Sequence, residues 1–295
     1  MRIFIFSLLT MLGCATSIAQ QKSIALPVAD FFHLDLVVDA EDFEQIRKDK
    51  FWNGVFGNIF VDSSSINGKP STEIYMLGQE TFLHINLNQG YWENRTGGGG
   101  IIFQSRFPDN LDSIANAWQE FYPDSILRRK VKTSAGDEVS EVAIYSKRDS
   151  ASPVVPAFYP VFLSFSRSSY LNWGFTNEKI NQGISMKEYM HSWDTSLQRK
   201  LFRKITAIHV RVTETERQWL ESGLKTAGYQ NEKNVFSHAE GPTVFIEKTA
   251  VPVIPRVSQI DILLAAPVAA KTIRLGKQYI ARLEGESMQL LANGR

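Results

Sequence analysis

His33-Leu-Asp-Leu-Val-Val38 runs directly into Asp39-Ala-Glu-Asp-Phe-Glu-Gln-Ile46, and this junction sets how the chain is read. The first six residues alternate: Leu34, Leu36 and Val38 point one way, while His33, Asp35 and Val37 point the other, as side chains of a strand must. The acidic cluster that follows stands where a helix N-terminus favours negative charge. Beyond it, apolar or alternating runs at 57–63, 72–77 and 81–88 are separated by turn chemistry, Asn67-Gly68-Lys69-Pro70 and Gly78. The segment therefore reads strand, helix, three strands.

The same order recurs. Residues 100–105 form a strand pattern. A helix over 110–122 carries Leu111, Ile114, Ala115 and Trp118 at helical spacing and stops at Pro123. Strands at 126–133, 139–146 and 159–166 complete this second unit. A third has a strand at 205–213, a helix at 214–227 ended by Gly228, and strands at 229–233, 235–239 and 243–248. A unit of about 60 to 70 residues repeated in this way is an internal structural repeat. Residues 256–293 offer four short strands (257–264, 271–275, 278–283, 287–291) and no clear helix, and read as a degenerate fourth unit. The expected fold is α+β, with tandem βαβββ modules. One pair spans 29–167, a helical connector 168–204 carries a helix near 186–202, and a second pair spans 205–293. In the connector, Tyr170, Trp173 and Phe175 have two readings, covering a sheet edge or forming a ligand wall. Gly97 to Gly100 lies between strands, unlike a phosphate loop, and reads as a flexible crossover.

Composition narrows the function classes. The 295 residues are 43% hydrophobic and 21% charged, and the formal net charge of +1 gives no footprint for nucleic acid. At the N-terminus, Arg2, the apolar run from Ile3 to Gly13 and the small residues Ser17-Ile18-Ala19 make a secretory signal, expected to be cleaved after residue 19. No later run is long and apolar enough for a spanning helix. Export, to the periplasm or beyond, is the expectation. The alternative is a lipoprotein anchored at Cys14, although Met11 is a poor first position for a lipobox. Because Cys14 is the only cysteine, cleavage after Ala19 leaves a chain with no thiol, hence no disulfide and no thiolate ligand. No Gly-x-Ser-x-Gly or His-Glu-x-x-His motif is present.

The 33–46 stretch resembles the first strand and helix of a module of the glyoxalase/bleomycin-resistance/dioxygenase (vicinal oxygen chelate) superfamily. Tyr75-Met-Leu-Gly78 with Thr81-Phe-Leu-His-Ile-Asn86 is similar to its third and fourth strands, and 205–213 with 241–247 repeats both signatures. The resemblance implies paired modules forming incomplete-barrel sheets, helices on the outer face, and an inner cavity. It also implies metal ligands drawn from the first and fourth strands of both modules. Alternation then turns His33, Asp35, His84 and Asn86 inward in the first unit. His209 and Arg211 turn inward in the third, with Phe245 and Glu247 sharing one face of its last strand.

Imidazole and carboxylate suit Zn, Fe, Mn or Ni. His33 and His84 are therefore candidate ligands, with His209 and Glu247 a weaker pair, and Asp35, Tyr75, Asn86, Gln104 and Ser164 candidates for binding a ligand. The second unit supplies only Gln104, Ser164 and Ser166, so a full family-style ligand set is not present. Other readings stand beside these: His33 and His84 as polar lining of a solvated cleft, and His209 with Glu247 as a buried hydrogen-bonded pair. The function classes left open are a metal-dependent lyase, isomerase or dioxygenase acting on a small molecule, a non-catalytic binder, and a structural envelope protein. Substrate and oligomeric state are not specified by the sequence. Mass spectrometry of the exported protein should find a chain beginning at Gln20, whereas a lipid-modified Cys14 would establish the anchored form.

Overall fold

The computed structural model describes residues 29–66, 69–88, 96–121, 126–132, 138–144, 157–193 and 195–293. The signal segment and Cys14 lie outside them. Strand β1 (Ala29–Val38) leads into α1 (Ala40–Lys48), then β2 (Asn58–Ile66), β3 (Lys69–Leu77) and β4 (Phe82–Leu87). Asp39 caps α1, its carboxylate accepting the Asp42 N–H at 2.8 Å, and Phe43 and Ile46 supply the buried stripe. The second unit is β5 (Gly99–Ser105), α2 (Leu111–Phe121), β6 (Ile126–Lys132), β7 (Glu138–Ile144) and β8 (Phe158–Phe165). These strands make one eight-stranded sheet, ordered β2-β3-β4-β1-β5-β8-β7-β6. Each module contributes the order 2-3-4-1, and the two first strands meet antiparallel at the centre.

That central contact is close. Gly97 takes φ +83°, and a Cβ on Gly99 would stand 2.0 Å from the Asp35 carbonyl oxygen. Gly97 N–H donates to Val37 O at 2.7 Å and its carbonyl accepts from Arg256 N–H at 2.7 Å, while Gly99 N–H donates to Ala157 O at 2.8 Å. The glycine run, expected to be a flexible crossover, is instead a close-packed junction, because only backbone without Cβ lets β5 approach β1 this closely.

The connector follows as α3 (Arg167–Asn172), α4 (Asn177–Gln182), α5 (Met186–Trp193) and a 3₁₀ turn over Thr195–Arg199. The third unit is β9 (Phe202–Val212), α6 (Glu214–Thr226), β10 (Gln230–Glu232), β11 (Val235–Ser237) and β12 (Thr243–Lys248), and β13 (Val257–Leu275) and β14 (Tyr279–Ala292) end the chain. They form a six-stranded sheet, β10-β11-β12-β9-β13-β14. Thus the strand–helix–three-strand order occurs three times in a mixed α+β chain with two open sheets. Residues 256–293, expected as four short strands, form two long ones. The breaks seen in sequence are bulges within a continuous hairpin, at Leu263/Val268 and Val268/Lys271.

One core joins the two sheets. Leu34, Leu36, Leu83, Ile85, Phe103 and Phe162 of the first sheet pack in the same cluster as Ile208, Val210, Val244 and Ile260 of the second, with Trp118 and Trp219 from α2 and α6 between them. Trp118 Nε1 donates to Ser222 Oγ at 2.9 Å. Glu216 is 3% exposed. It closes the capping box of α6, accepts from Ala157 N–H at 3.0 Å and pairs with the buried Arg256 at 3.0 Å.

The connector occupies the other side of the eight-stranded sheet. Tyr170, Ile180, Ile184, Met186, Tyr189 and Met190 pack on Phe32, Ile102, Val161, Leu163 and Phe165. The expected edge cover is not its main contact: the connector packs on inner-face residues of β5 and β8 and reaches Phe32 beside His33, with the Tyr189 and Phe32 rings 5.4 Å apart. Ile102, Val161, Leu163 and Phe165 would otherwise be solvated. Among the described residues no helix is long and apolar enough to cross a membrane. Gly99→Ala should cost about 3 kcal/mol through the clash with the Asp35 carbonyl, read as a lowered midpoint in urea unfolding.

Candidate metal centre

The site is built by register. β1 pairs parallel with β4, placing His33 opposite Phe82 and Asp35 opposite His84. β3 pairs antiparallel with β4, placing Tyr75 opposite His84 and Glu73 opposite Asn86. Inner-face positions therefore carry His33, Asp35, Glu73, Tyr75, His84 and Asn86 together. A register shift between Phe31 and His33 turns Phe32 inward as well, where its ring sits 4.8 Å from that of His33.

Asp35 Oδ1 is shared by two imidazoles, 3.0 Å from His33 Nε2 and 2.8 Å from His84 Nδ1. The far nitrogen of His84, Nε2, lies 3.2 Å from Glu73 Oε2. Tyr75 donates its hydroxyl proton to the same Glu73 oxygen at 3.0 Å. Stacking fixes both rings: His33 lies on Phe82 at 4.4 Å and His84 on Tyr75 at 4.4 Å. The two imidazole centroids are 5.1 Å apart. His33, Glu73 and His84 are 6%, 6% and 9% exposed, while the Asp35 side chain retains 18%, so the cluster opens on the Asp35 side. Exposed Phe60 on β2 stands beside Tyr75, with ring centroids 6.0 Å apart.

Burial disfavours a charged His84, yet Asp35 and Glu73 on its two nitrogens outweigh burial and hold its pKa up at about 10. Burial lowers His33, against the pull of Asp35. Burial alone would raise Asp35, but the two imidazoles hold it well below the usual carboxylate range. Tyr75 is pushed well above its ordinary value, first by burial and then by Glu73, and stays a proton donor. A carboxylate thus stands on each nitrogen of His84, Asp35 on Nδ1 and Glu73 on Nε2.

Three of these side chains could hold a divalent ion. His33, Asp35 and His84 each offer a ligand atom, all within 4.8 Å of one another, and among the described residues this is the single such group. Bonds of about 2.1 Å to one ion put neighbouring donors roughly 3 Å apart, as found around Asp35 Oδ1. Glu73 behind His84 is the carboxylate that in metal sites holds the distal ring proton and turns the other nitrogen to the ion. His33 Nδ1 is buried without a hydrogen-bond partner, so nothing behind the ring competes for its orientation. The residues fit a cation.

The other expected site residues are distributed differently. Asn86 lies on the inner face, partly buried, at the rim. Gln104 also faces inward but is 1% exposed, its amide donating to the Tyr170 hydroxyl at 2.9 Å beneath the connector. Ser164 points to the opposite face: Leu163 is the residue that pairs inward with Gln104, and the Ser164 hydroxyl donates to Phe107 O at 3.0 Å. His209 and Glu247 are not a bonded pair. His209 stands opposite Phe245, with stacked rings 4.2 Å apart, and Glu247 is exposed opposite Arg211. The carboxylate near His209 is Asp261, 3.7 Å away. Sequence reasoning misses Glu73, although the alternation that turns Tyr75 inward turns Glu73 the same way.

His84→Ala should destabilise the fold by about 3–5 kcal/mol, because Asp35 and Glu73 both lose the imidazole they are bonded to. The raised His84 pKa stabilises the folded state fully below the unfolded value of 6.5, and that contribution fades as pH rises through about 10. The lowered Asp35 pKa stabilises above the ordinary carboxylate range, and this is lost in acid. Thermal melts of the metal-free protein should therefore decline from pH 7 toward about 10, with the alkaline slope reduced in a folded His84→Gln variant.

No curated protein matches the sequence. Among solved structures, methylmalonyl-CoA epimerase in complex with methylmalonyl-CoA and NH4+ is 11% identical, covering 48% of this chain and 97% of that one with a TM-score of 0.30. A single-site variant of the Streptomyces coelicolor epimerase in complex with 2-nitronate-propionyl-CoA is 12% identical over 48% of this chain and 99% of that one, with a TM-score of 0.29. A xylose isomerase-like TIM barrel/4-hydroxyphenylpyruvate dioxygenase fusion protein matches at 12% identity, 50% of this chain, 26% of that one and a TM-score of 0.26. Overlaps this shallow carry no functional argument, and the modular architecture rests on the strand order itself. The sequence profile of one family spans residues 31–290, and the chain accordingly belongs to DUF5829, a family of unknown function.

Proposed function

We propose that the inner face of the first module is a divalent-metal site that binds a small molecule for lyase, isomerase or dioxygenase chemistry, in a protein exported from the cytoplasm. The observation that carries this reading is the buried His33, Asp35 and His84 cluster, whose three ligand atoms lie within 4.8 Å. Two histidines and one carboxylate leave open positions on an ion. A bound divalent ion would supply Lewis-acid polarisation of a ligand oxygen or, as iron(II), dioxygen chemistry.

The chain's own residues prepare that site. Glu73 holds the Nε2 proton of His84, leaving Nδ1 to face Asp35. Tyr75 holds Glu73 in turn, and its ring and that of Phe82 clamp the two imidazoles by stacking. Ile102, across from His33 on β5, keeps water from one flank. Phe60 and Asn86 stand at the open flank, which suits a ligand with an apolar body and a polar end.

Non-catalytic capture of a ligand on the same fold is the second reading. It is favoured by β5 and β8 of the second module, whose described inner-face residues Ile102, Val161 and Leu163 are apolar and packed against the connector.

Chelator-stripped protein should bind Zn²⁺ or Mn²⁺ with one-to-one stoichiometry in isothermal titration calorimetry. His33→Ala and Asp35→Asn should abolish the heat, and Glu73→Gln should weaken it about 10- to 100-fold. Absence of stoichiometric binding, or unchanged binding in both ligand variants, would remove the metal from the reading.

A further inference from the structure

Phe32 and His33 are consecutive in β1, yet both rings lie on the inner face, because the register of β1 against β5 shifts between Phe31 and His33. A bulge of this kind re-aims a side chain that plain alternation would send to the core. Phe32 is 5% exposed. Its ring meets His33 at 4.8 Å and Phe82, on which His33 stacks, at 5.0 Å. On another flank it meets Tyr189 of α5 at 5.4 Å. Tyr189 is itself buried and held by the rings of Phe165 at 5.5 Å and Trp173 at 5.3 Å.

The helix that carries Tyr189 is fastened to the same strand. Asp30, near the start of β1, accepts the Met186 N–H at 2.8 Å. Arg106 Nε donates to the two Asp30 oxygens at 2.9 and 3.0 Å, and the Arg106 carbonyl accepts the Ile184 N–H at 2.8 Å. Met186 opens α5, and Tyr189 follows one turn later on the same helical face. α5 is therefore clipped to β1 at two points, Asp30 to Met186 and Phe32 to Tyr189.

His33 depends on such support more than His84 does. His84 has a carboxylate on each nitrogen and lies on Tyr75. His33 has Asp35 on Nε2, while its Nδ1 is buried with no hydrogen-bond partner, so packing sets the angle of the ring. The third module shows what stacking gives by itself. His209 lies on Phe245 as His33 lies on Phe82, and among the described residues no further ring packs on it. The His209 side chain stays 31% exposed, against 8% for His33.

We infer that Tyr189 is a positioning residue for the metal centre proposed above, acting through Phe32 to hold the His33 imidazole at the angle from which it shares an ion with Asp35 and His84. This role presupposes the metal reading, whereas the chain of ring contacts does not. The seating of α5 on β1 and the affinity of the site are thereby linked, so a substitution outside the ligand set changes ion binding.

Tyr189→Leu, which keeps an apolar side chain and removes the ring, tests this in the mature chain. In the metal-free protein the ring C–H signal of His33, assigned among the five histidines with His33→Asn, should move or broaden while that of His84 stays in place. Affinity for Zn²⁺ should fall about 10-fold. Tyr189→Phe should keep both the signal and the affinity of the parent. Ile180→Ala, an equally buried truncation in the same connector cluster, should leave both near the parent values and controls for general loosening. Should Tyr189→Leu fail to fold, Phe32→Leu removes the middle ring and is expected to give the same pair of changes. An unmoved His33 signal, an unchanged affinity or an equal effect of Ile180→Ala would each overturn the inference. Failure of the parent to bind Zn²⁺ would remove the metal reading, and the His33 signal would then decide by itself whether Tyr189 holds the ring.

Discussion

Strand β1 sits between a parallel partner and an antiparallel one, and both must hold it in a single register. Its odd-numbered positions from His33 onward meet the inner face, and Leu34, Leu36 and Val38 enter the core shared by the two sheets. A slip of one residue would bury His33 and Asp35 against α1 and expose the leucines, so the apolar face pins the polar one. The glycines at the start of β5 make this possible by letting two backbones approach where any side chain would collide. Hydrophobic burial on one side of the strand thereby fixes the geometry of the ionisable groups on the other.

Those groups form one connected set of ionisable side chains. Two carboxylates converge on His84, and His33, the remaining base, is discouraged from protonation by its own burial. A buried network that served stability alone would be replaceable by apolar side chains at little cost. Strongly shifted groups gathered at an opening are characteristic of functional sites. Aromatic stacking holds both imidazoles in place, and Glu73 and Tyr75 extend the hydrogen bonding from His84 outward, so the arrangement is organised before any ligand arrives.

Three copies of one module carry three different inner faces. The first holds imidazoles and carboxylates, the second has apolar β5 and β8 residues packed against the connector, and the third presents stacked rings beside lysines. Where a fourth module would lie, a long hairpin completes the second sheet, and its turn docks on α1, with Lys277 N–H donating to Asp42 at 2.6 Å. The scaffold is therefore shared while the chemistry belongs to a few positions on each copy.

The local grammar is legible in the sequence. Alternation of Leu34, Leu36 and Val38 against His33 and Asp35, the acidic start of α1 and the Gly228 stop after α6 are short-range signals that operate within one element. They are enough to show the repeated unit and to turn His33, Asp35, His84, Tyr75 and Asn86 to one side. What they do not contain is any fact that depends on which strand lies beside which. Alternation alone misplaces Ser164, because its facing is set by the pairing of Leu163 with Gln104; it turns Glu247 to the expected face but not to His209, because register puts Arg211 across from it. Glu73 becomes a partner of His84 only once β3 is laid against β4. The connector's aromatic residues announce burial but not the surface that receives them, since hydrophobic attraction is non-directional and the vacant apolar face of the second module exists only after folding.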